Sequence, residues 1–250
     1  MLLPIAFRYE DAARYHSQDN QQHDDTTKDV SPRSSQSHPD SPDAIEALSA
    51  YPSNTRAIFS HTATYLSALY CLLYVGTETA ISGWIVSYMS RSRHASPFLS
   101  ALSSSFFWGG MVLGRMGLGL VSERLGVRTA NIGYLVAAIA LQLILALGTL
   151  PPAVCVALVA CVGFLMGPLY PGGVVLLTQL VPRGLHVAVV SFVGSVGQVG
   201  GAVFPFLIGA LVERVGIEVF LYVLVVLLTG ALGVWLVFAR LKVERCHSRG

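Results

Sequence analysis

The chain has 250 residues, 53% of them apolar and only 12% charged, with a formal net charge of +2. A soluble domain does not carry so little charge against so much apolar surface, so a bilayer must act as solvent for much of the chain. Near-neutral charge gives no basic footprint for nucleic acid, and four cysteines at irregular spacing form neither a disulfide framework nor a metal-ligand pattern. Neither metal nor organic cofactor is expected.

Residues 1–58 stand apart: five basic against nine acidic side chains, net −4, with abundant Ser, Gln, Asp and Pro. Such a segment buries too little apolar area to offset its ordering entropy, and reads as a disordered cytosolic tail or inter-bundle linker. Its opening Met1–Phe7 is too short to span and lacks the basic leader and small-residue cleavage site of a signal peptide.

Residues 59–245 read as a six-helix transmembrane bundle, with 246–250 as a cytosolic tail. Apolar stretches at about 62–89, 97–122, 129–149, 152–180, 187–212 and 217–240 each reach the ~20 residues that a ~30 Å hydrocarbon core requires. Arg56, Arg124, Arg128, Arg183, Arg240, Lys242, Arg245 and Arg249 fall on one side, and Arg91, Arg93 and Arg214 on the other. The positive-inside bias therefore puts both termini in the cytosol.

In the first span Glu78 lies about sixteen residues in, near the bilayer midplane, where an ionised side chain costs at least ~2.5 kcal/mol. It shares a helical face with Tyr70, Tyr74 and Thr77, a polar and aromatic wall suited to a cavity. A carboxyl at that depth suits a protonatable switch; the alternative is a neutral Glu satisfied by a neighbouring helix. In the second span Trp108 and Arg115 share a face, as a substrate contact, a gate, or an arginine snorkelling to the headgroups. Counted from the cytosolic ends, Arg115 is ~10 Å deep and Glu78 ~24 Å at 1.5 Å per residue, so no direct ion pair is expected. Gly110 and Gly114 beside Arg115 make a packing stripe.

The second span ends in Gly119-x-x-x-Glu123-Arg124-x-Gly126, and the fifth in Gly209-x-x-x-Glu213-Arg214-x-Gly216, an offset of 90 residues. Three helices are thus written twice, and an odd number of spans per copy puts the copies in opposite orientations, as in many secondary transporters. The first copy continues to Arg128 where the second has Glu218, which keeps a cation on the side expected to be cytosolic. Its residue types suit a helix leaving the membrane, and either a conformational latch or a capped turn with snorkelling arginines fits.

In the fourth span Pro168 and Pro171, with Gly167, remove backbone donors at mid-depth, freeing the carbonyls of Phe164 and Gly167, so the helix should bend there. The 90-residue offset lays Glu78 over Pro168. Gln198 in the fifth span shares a face with Ser191, Gly194, Gly201 and Pro205, one polar group that points to the same cavity.

The string Gly119-x-x-x-Glu123-Arg124-x-Gly126-x-Arg128 resembles the signature loop between the eighth and ninth helices of the major facilitator superfamily. Tyr74-Val-Gly-Thr-Glu78 with Gly83-Trp84, Gly109-Gly110-x-x-x-Gly114-Arg115, Gly167-Pro168-Leu-Tyr170-Pro171, and Phe204-Pro205 resemble its fungal fucose-permease-like members. The resemblance covers the chain after the linker and implies the C-terminal six-helix half of a twelve-helix transporter, an all-α fold of two inverted three-helix repeats. It implies a small, sugar-like or metabolite solute as substrate, and a second six-helix half or a homodimer as partner.

Transport of a small polar solute, with Glu78 as proton site, is thus the leading expectation. A truncated product or a six-helix regulatory membrane protein is the alternative. An enzyme is not expected, because the spans hold no aspartate and no His-Glu-x-x-His, and Gly194-Ser195-x-Gly197 has no histidine in a later span.

Overall fold

A computed structural model describes residues 62–241. The expected linker at 1–58 and the tail at 246–250 lie outside the described residues.

The described chain is helical throughout: α1 (Thr62–Arg91), α2 (Pro97–Leu125), α3 (Val127–Leu147), α4 (Pro152–Met166), α5 (Leu169–Leu180), a 3-10 turn (Arg183–Leu185), α6 (His186–Val215) and α7 (Val219–Arg240). Helix starts follow local chemistry. Ser96 caps α2, accepting from the Leu99 N–H at 3.3 Å with Pro97 in the first turn, and Pro152 opens α4. Both α2 and α6 stop at a glycine in the left-handed region, Gly126 at φ 81° and Gly216 at φ 111°. These are the last glycines of the two repeated strings, so the repeated sequence is also a repeated turn.

Five stretches, with Pro152–Leu180 as one, are long and apolar enough to cross a membrane. The sixth, α2, is long enough at 29 residues, but its serines, glycines and Arg115 dilute its apolar character.

Side-chain contacts give the helix directions. Tyr70 and Tyr74 on α1 meet the carbonyls of Leu169 and Met166, and Tyr70 and Tyr88 stack near Trp235 and Phe220 of α7, so both partners run antiparallel to α1. By contrast α6 runs parallel to α1, with Leu72 against Gly200, Gly76 against Phe204 and Trp84 against Gly209. Likewise α2 runs parallel to α4, with Gly110 against Ala160 and Gly114 against Phe164. Up-and-down alternation across six spans follows. The two closest pairs, α1 with α6 and α2 with α4, exchange under the 90-residue offset, as an inverted duplication requires.

These pairs approach closely because their crossings are built of small residues. A Cβ at Gly110 would run into the Ala160 carbonyl, and at Gly200 into the Leu72 carbonyl. Gly110 and Gly200 are themselves 90 residues apart. In hydrocarbon, where apolar surface alone does not drive association, such backbone proximity is what holds helices together.

Loop arginines finish the bundle. Arg93 donates to the carbonyls of Leu145 at 3.3 Å and Gly148 at 2.7 Å, capping the end of α3, while its Nε bonds the Tyr88 hydroxyl at 2.6 Å. At the other end Arg128 donates to the Ala239 carbonyl at 2.8 Å, and the Trp235 indole N–H donates back to the Arg128 carbonyl at 3.2 Å.

Candidate functional site

The fourth span is interrupted at Gly167–Pro168. Pro168 has no N–H to offer the Phe164 carbonyl, so α4 closes at Met166 and α5 starts at Leu169. Polar groups from three other helices gather on this break.

From α1, the buried Tyr74 hydroxyl donates to the Met166 carbonyl at 3.1 Å, and the buried Tyr70 hydroxyl to the Leu169 carbonyl at 3.3 Å. From α3, the buried Asn131 amide donates to the same Leu169 oxygen at 3.5 Å. From α2, the Gly114 backbone comes against the Phe164 carbonyl, the oxygen that Pro168 deprives of its donor. Side-chain donors from α1 and α3 thus serve the carbonyls of Met166 and Leu169 on either side of the interruption.

Glu78 stands one turn along α1 from Tyr74, half-buried and on the same face of the helix. Tyr170 of α5 lies beside them, its ring centroid 6.2 Å from that of Tyr74. Arg115 is near enough for its charge to act on the Glu78 carboxyl. Its backbone N lies 2.7 Å from where a Cβ on Gly167 would sit, which places Arg115 at the level of the break. The depth count from sequence set it too shallow. It assumed upright helices and ended α2 at residue 122, whereas α2 continues to Leu125. The Arg115 guanidinium rests on the Met111 sulfur at 3.4 Å.

Other expected site residues lie elsewhere. Thr77 is fully buried and bonded back to the Leu73 carbonyl at 2.7 Å, so it belongs to helix packing rather than to a cavity wall. Trp108 is 42% exposed and meets Phe107 edge-on, 5.8 Å between centroids. Gln198 is exposed on α6, whose neighbouring Gly197, Gly200 and Gly201 face α1. Pro171 is exposed within α5.

In the expected latch, Glu123 and Arg124 are exposed and Gly126 makes the left-handed turn. Arg128 caps the end of α7, donating to the Ala239 carbonyl at 2.8 Å. A backbone carbonyl at a helix end carries partial negative charge and so attracts a cation. Gly119 is open to space on the side where a Cβ would project.

Sequence reasoning missed Asn131. Its signal was an amide one turn into α3, ahead of a long apolar run.

Six up-and-down helical spans in two inverted halves, with a broken helix and a carboxyl at mid-depth, define a polytopic integral membrane protein of secondary-transporter architecture. Residues 66–247 match the model of the Major Facilitator Superfamily, and the chain belongs to that family. It is 28% identical over 222 residues to Bypass of stop codon protein 6 of Saccharomyces cerevisiae, covering 85% of this chain and 43% of that protein. Among solved structures, the E. coli fucose:proton symporter aligns with a TM-score of 0.64 at 18% identity, over 86% of this chain and 50% of that one. A bacterial homologue of the iron transporter ferroportin, outward-facing, aligns at 0.62 and 15% identity, over 74% and 48%. At these identities the structures show the fold. The chain spans about half the length of the relatives it matches.

Proposed function

We propose that the chain forms one six-helix wall of a secondary transporter that moves a small polar solute by alternating access, a second six-helix bundle supplying the other wall. Glu78 carries this reading: a carboxyl at mid-span, beside Tyr74, Tyr170 and Arg115, at the level of a helix break. Charged groups are rarely kept at that depth without use, and inverted-repeat transporters bind substrate near discontinuous helices. The fold shared with a fucose:proton symporter supports a sugar-like solute and a proton as coupling ion.

In this proposal Glu78 binds and releases the proton, while Tyr74 and Arg115 set its field. The Gly167–Pro168 break with Pro171 supplies flexibility. The turn formed by Gly119, Glu123, Arg124, Gly126 and Arg128 lies in the cytosol, as do both termini, and transmits movement from α2 to α7. Arg115 and Gln198, exposed on α2 and α6, favour a partner bundle over lipid on that face. The partner is a second half or a second copy. A six-helix regulator that docks on a complete transporter would present the same face.

The test is solute uptake into proteoliposomes across a pH gradient. Glu78→Gln is expected to abolish the pH dependence while inserting normally. PH-driven uptake that survives the substitution would remove Glu78 from coupling, and absence of uptake by the wild type under every partner condition would favour the regulator.

A further inference from the structure

Tyr74 has one hydroxyl proton and two claimants for it. Its O–H donates to the Met166 carbonyl at 3.1 Å, and Glu78 stands one turn away on the same face, the spacing at which side chains along a helix meet. Met166 is the last residue of α4, so its carbonyl stands at the break, where the Tyr74 hydroxyl donates to it. Tyr74 is 1% exposed, so its hydroxyl is served by protein groups rather than by bulk water. A phenol can donate only once.

We propose that Tyr74 is a positioning residue that reports the charge of Glu78 to the α4–α5 hinge, by donating to Met166 when the carboxyl is neutral and to Glu78 when it is ionised. With neutral Glu78 the carbonyl of a helix end competes well, and the hinge is held against α1. An ionised carboxylate is the stronger acceptor, since a hydrogen bond to a charged group is roughly twice as strong as a neutral one. Loss of the proton draws the Tyr74 hydroxyl along α1 and takes its donor away from the Met166 oxygen at the break, and α5 re-angles about Gly167 once that tie to α1 is gone. The groups that face Glu78 are few: Tyr74 on its own helix, Arg115 from α2 and Tyr170 from α5. Arg115 does not bridge to the carboxyl, and of the three Tyr74 is the one whose hydroxyl is bonded to the end of α4.

Tyr70 provides an internal control. It makes the same kind of bond, to Leu169 at 3.3 Å, but lies a further turn from the acid. A merely structural role would treat the two tyrosines alike.

This inference rests on Glu78 being titratable, not on transport, and the experiment separates the two. Spin labels are placed on exposed Cys161 of α4 and on Val175→Cys of α5, with Cys246→Ser, in the full chain in lipid nanodiscs. Their distance distribution is then followed as pH is varied. The wild-type background is expected to exchange two populations with pH, the ratio moving roughly five- to tenfold, as a charged bond replaces a neutral one. Glu78→Gln should hold the low-pH distribution at every pH. Tyr74→Phe should abolish the response, and Tyr70→Phe should keep it. A wild-type distribution that ignores pH, a response that persists in Tyr74→Phe, or equal effects of the two Phe substitutions would each overturn the proposal. If Tyr74→Phe fails to insert, Glu78→Gln decides: a retained pH response overturns it and a frozen one supports it. A hinge that responds in a chain whose uptake is independent of pH would leave this switch standing and remove the coupling role.

Discussion

The two halves of the bundle share one close crossing and differ one turn further on. Gly110 of α2 and Gly200 of α6 each lie against a backbone carbonyl, whereas Gly114 of α2 meets the Phe164 backbone and its counterpart on α6 is Phe204, whose ring lies against Gly76 of α1. The lead helices differ as well. In the first half α1 is continuous through its 30 residues and carries Glu78, whereas in the second the corresponding helix is broken at the position that matches Glu78. Duplicated geometry therefore leaves room for divided labour: one copy carries an acid, the other a hinge, and their pseudo-symmetry brings the two together.

The largest expected effects test the shared part of that design. Gly110→Ala and Gly200→Ala should each cost more than about 3 kcal/mol, because the added methyl meets a backbone carbonyl that has nowhere to go. Gly76→Ala meets only the Phe204 ring, which can turn, and should cost about 1–3 kcal/mol. Thermal denaturation of the detergent-solubilised protein, read by size exclusion, checks the order. Equal losses at all three would mean that the crossings tolerate no distinction between backbone and side chain.

Next in size are the loop arginines. Arg93 makes three hydrogen bonds from a single side chain, so Arg93→Met should destabilise by about 2–4 kcal/mol. Arg128→Met loses one bond to a carbonyl and should cost about 1.5–3 kcal/mol. The same melts apply, and hydrogen exchange should show fraying at the end of α3 in the first variant and at the end of α7 in the second.

The smallest effect sharpens the repeat itself. Gly126→Ala and Gly216→Ala should each cost about 1–3 kcal/mol, since both turns need a positive φ that alanine adopts only under strain. If they differ by more than that range, the two turns are alike in shape but not in the load they bear.

Much of the fold was legible in the sequence because bilayer thickness prints itself on the chain. Runs long enough to span, turns made by Gly126 and Gly216, and the interruption at Pro168 are local signals. The candidate site was less so. Glu78 stood out because a carboxylate in an apolar run is conspicuous, but its surroundings depend on tertiary contact. Nothing near Tyr74 in sequence indicates that its hydroxyl meets Met166, 92 positions away, or that Arg128 ends on Ala239, 111 positions away. Thr77 looked like a cavity residue from helical phase alone, yet a short threonine side chain bonds its own preceding turn when another helix packs over it. The depth of Arg115 was counted from an end at residue 122, whereas α2 runs on to Leu125 before Gly126 turns the chain.

The reciprocal bonds between Arg128 and the end of α7 have a mechanical meaning. The Trp235 indole holds the carbonyl of Arg128 while the Arg128 side chain holds the carbonyl of Ala239, so the first turn of α3 and the last turns of α7 are buckled to each other. Arg93 fastens the opposite end of α3. The third helix is thus pinned at both ends like an axle in two bearings. A pull on the chain beyond Leu241 would be carried across the buckle into α3 at the middle of the sequence, and α7 would not peel away alone.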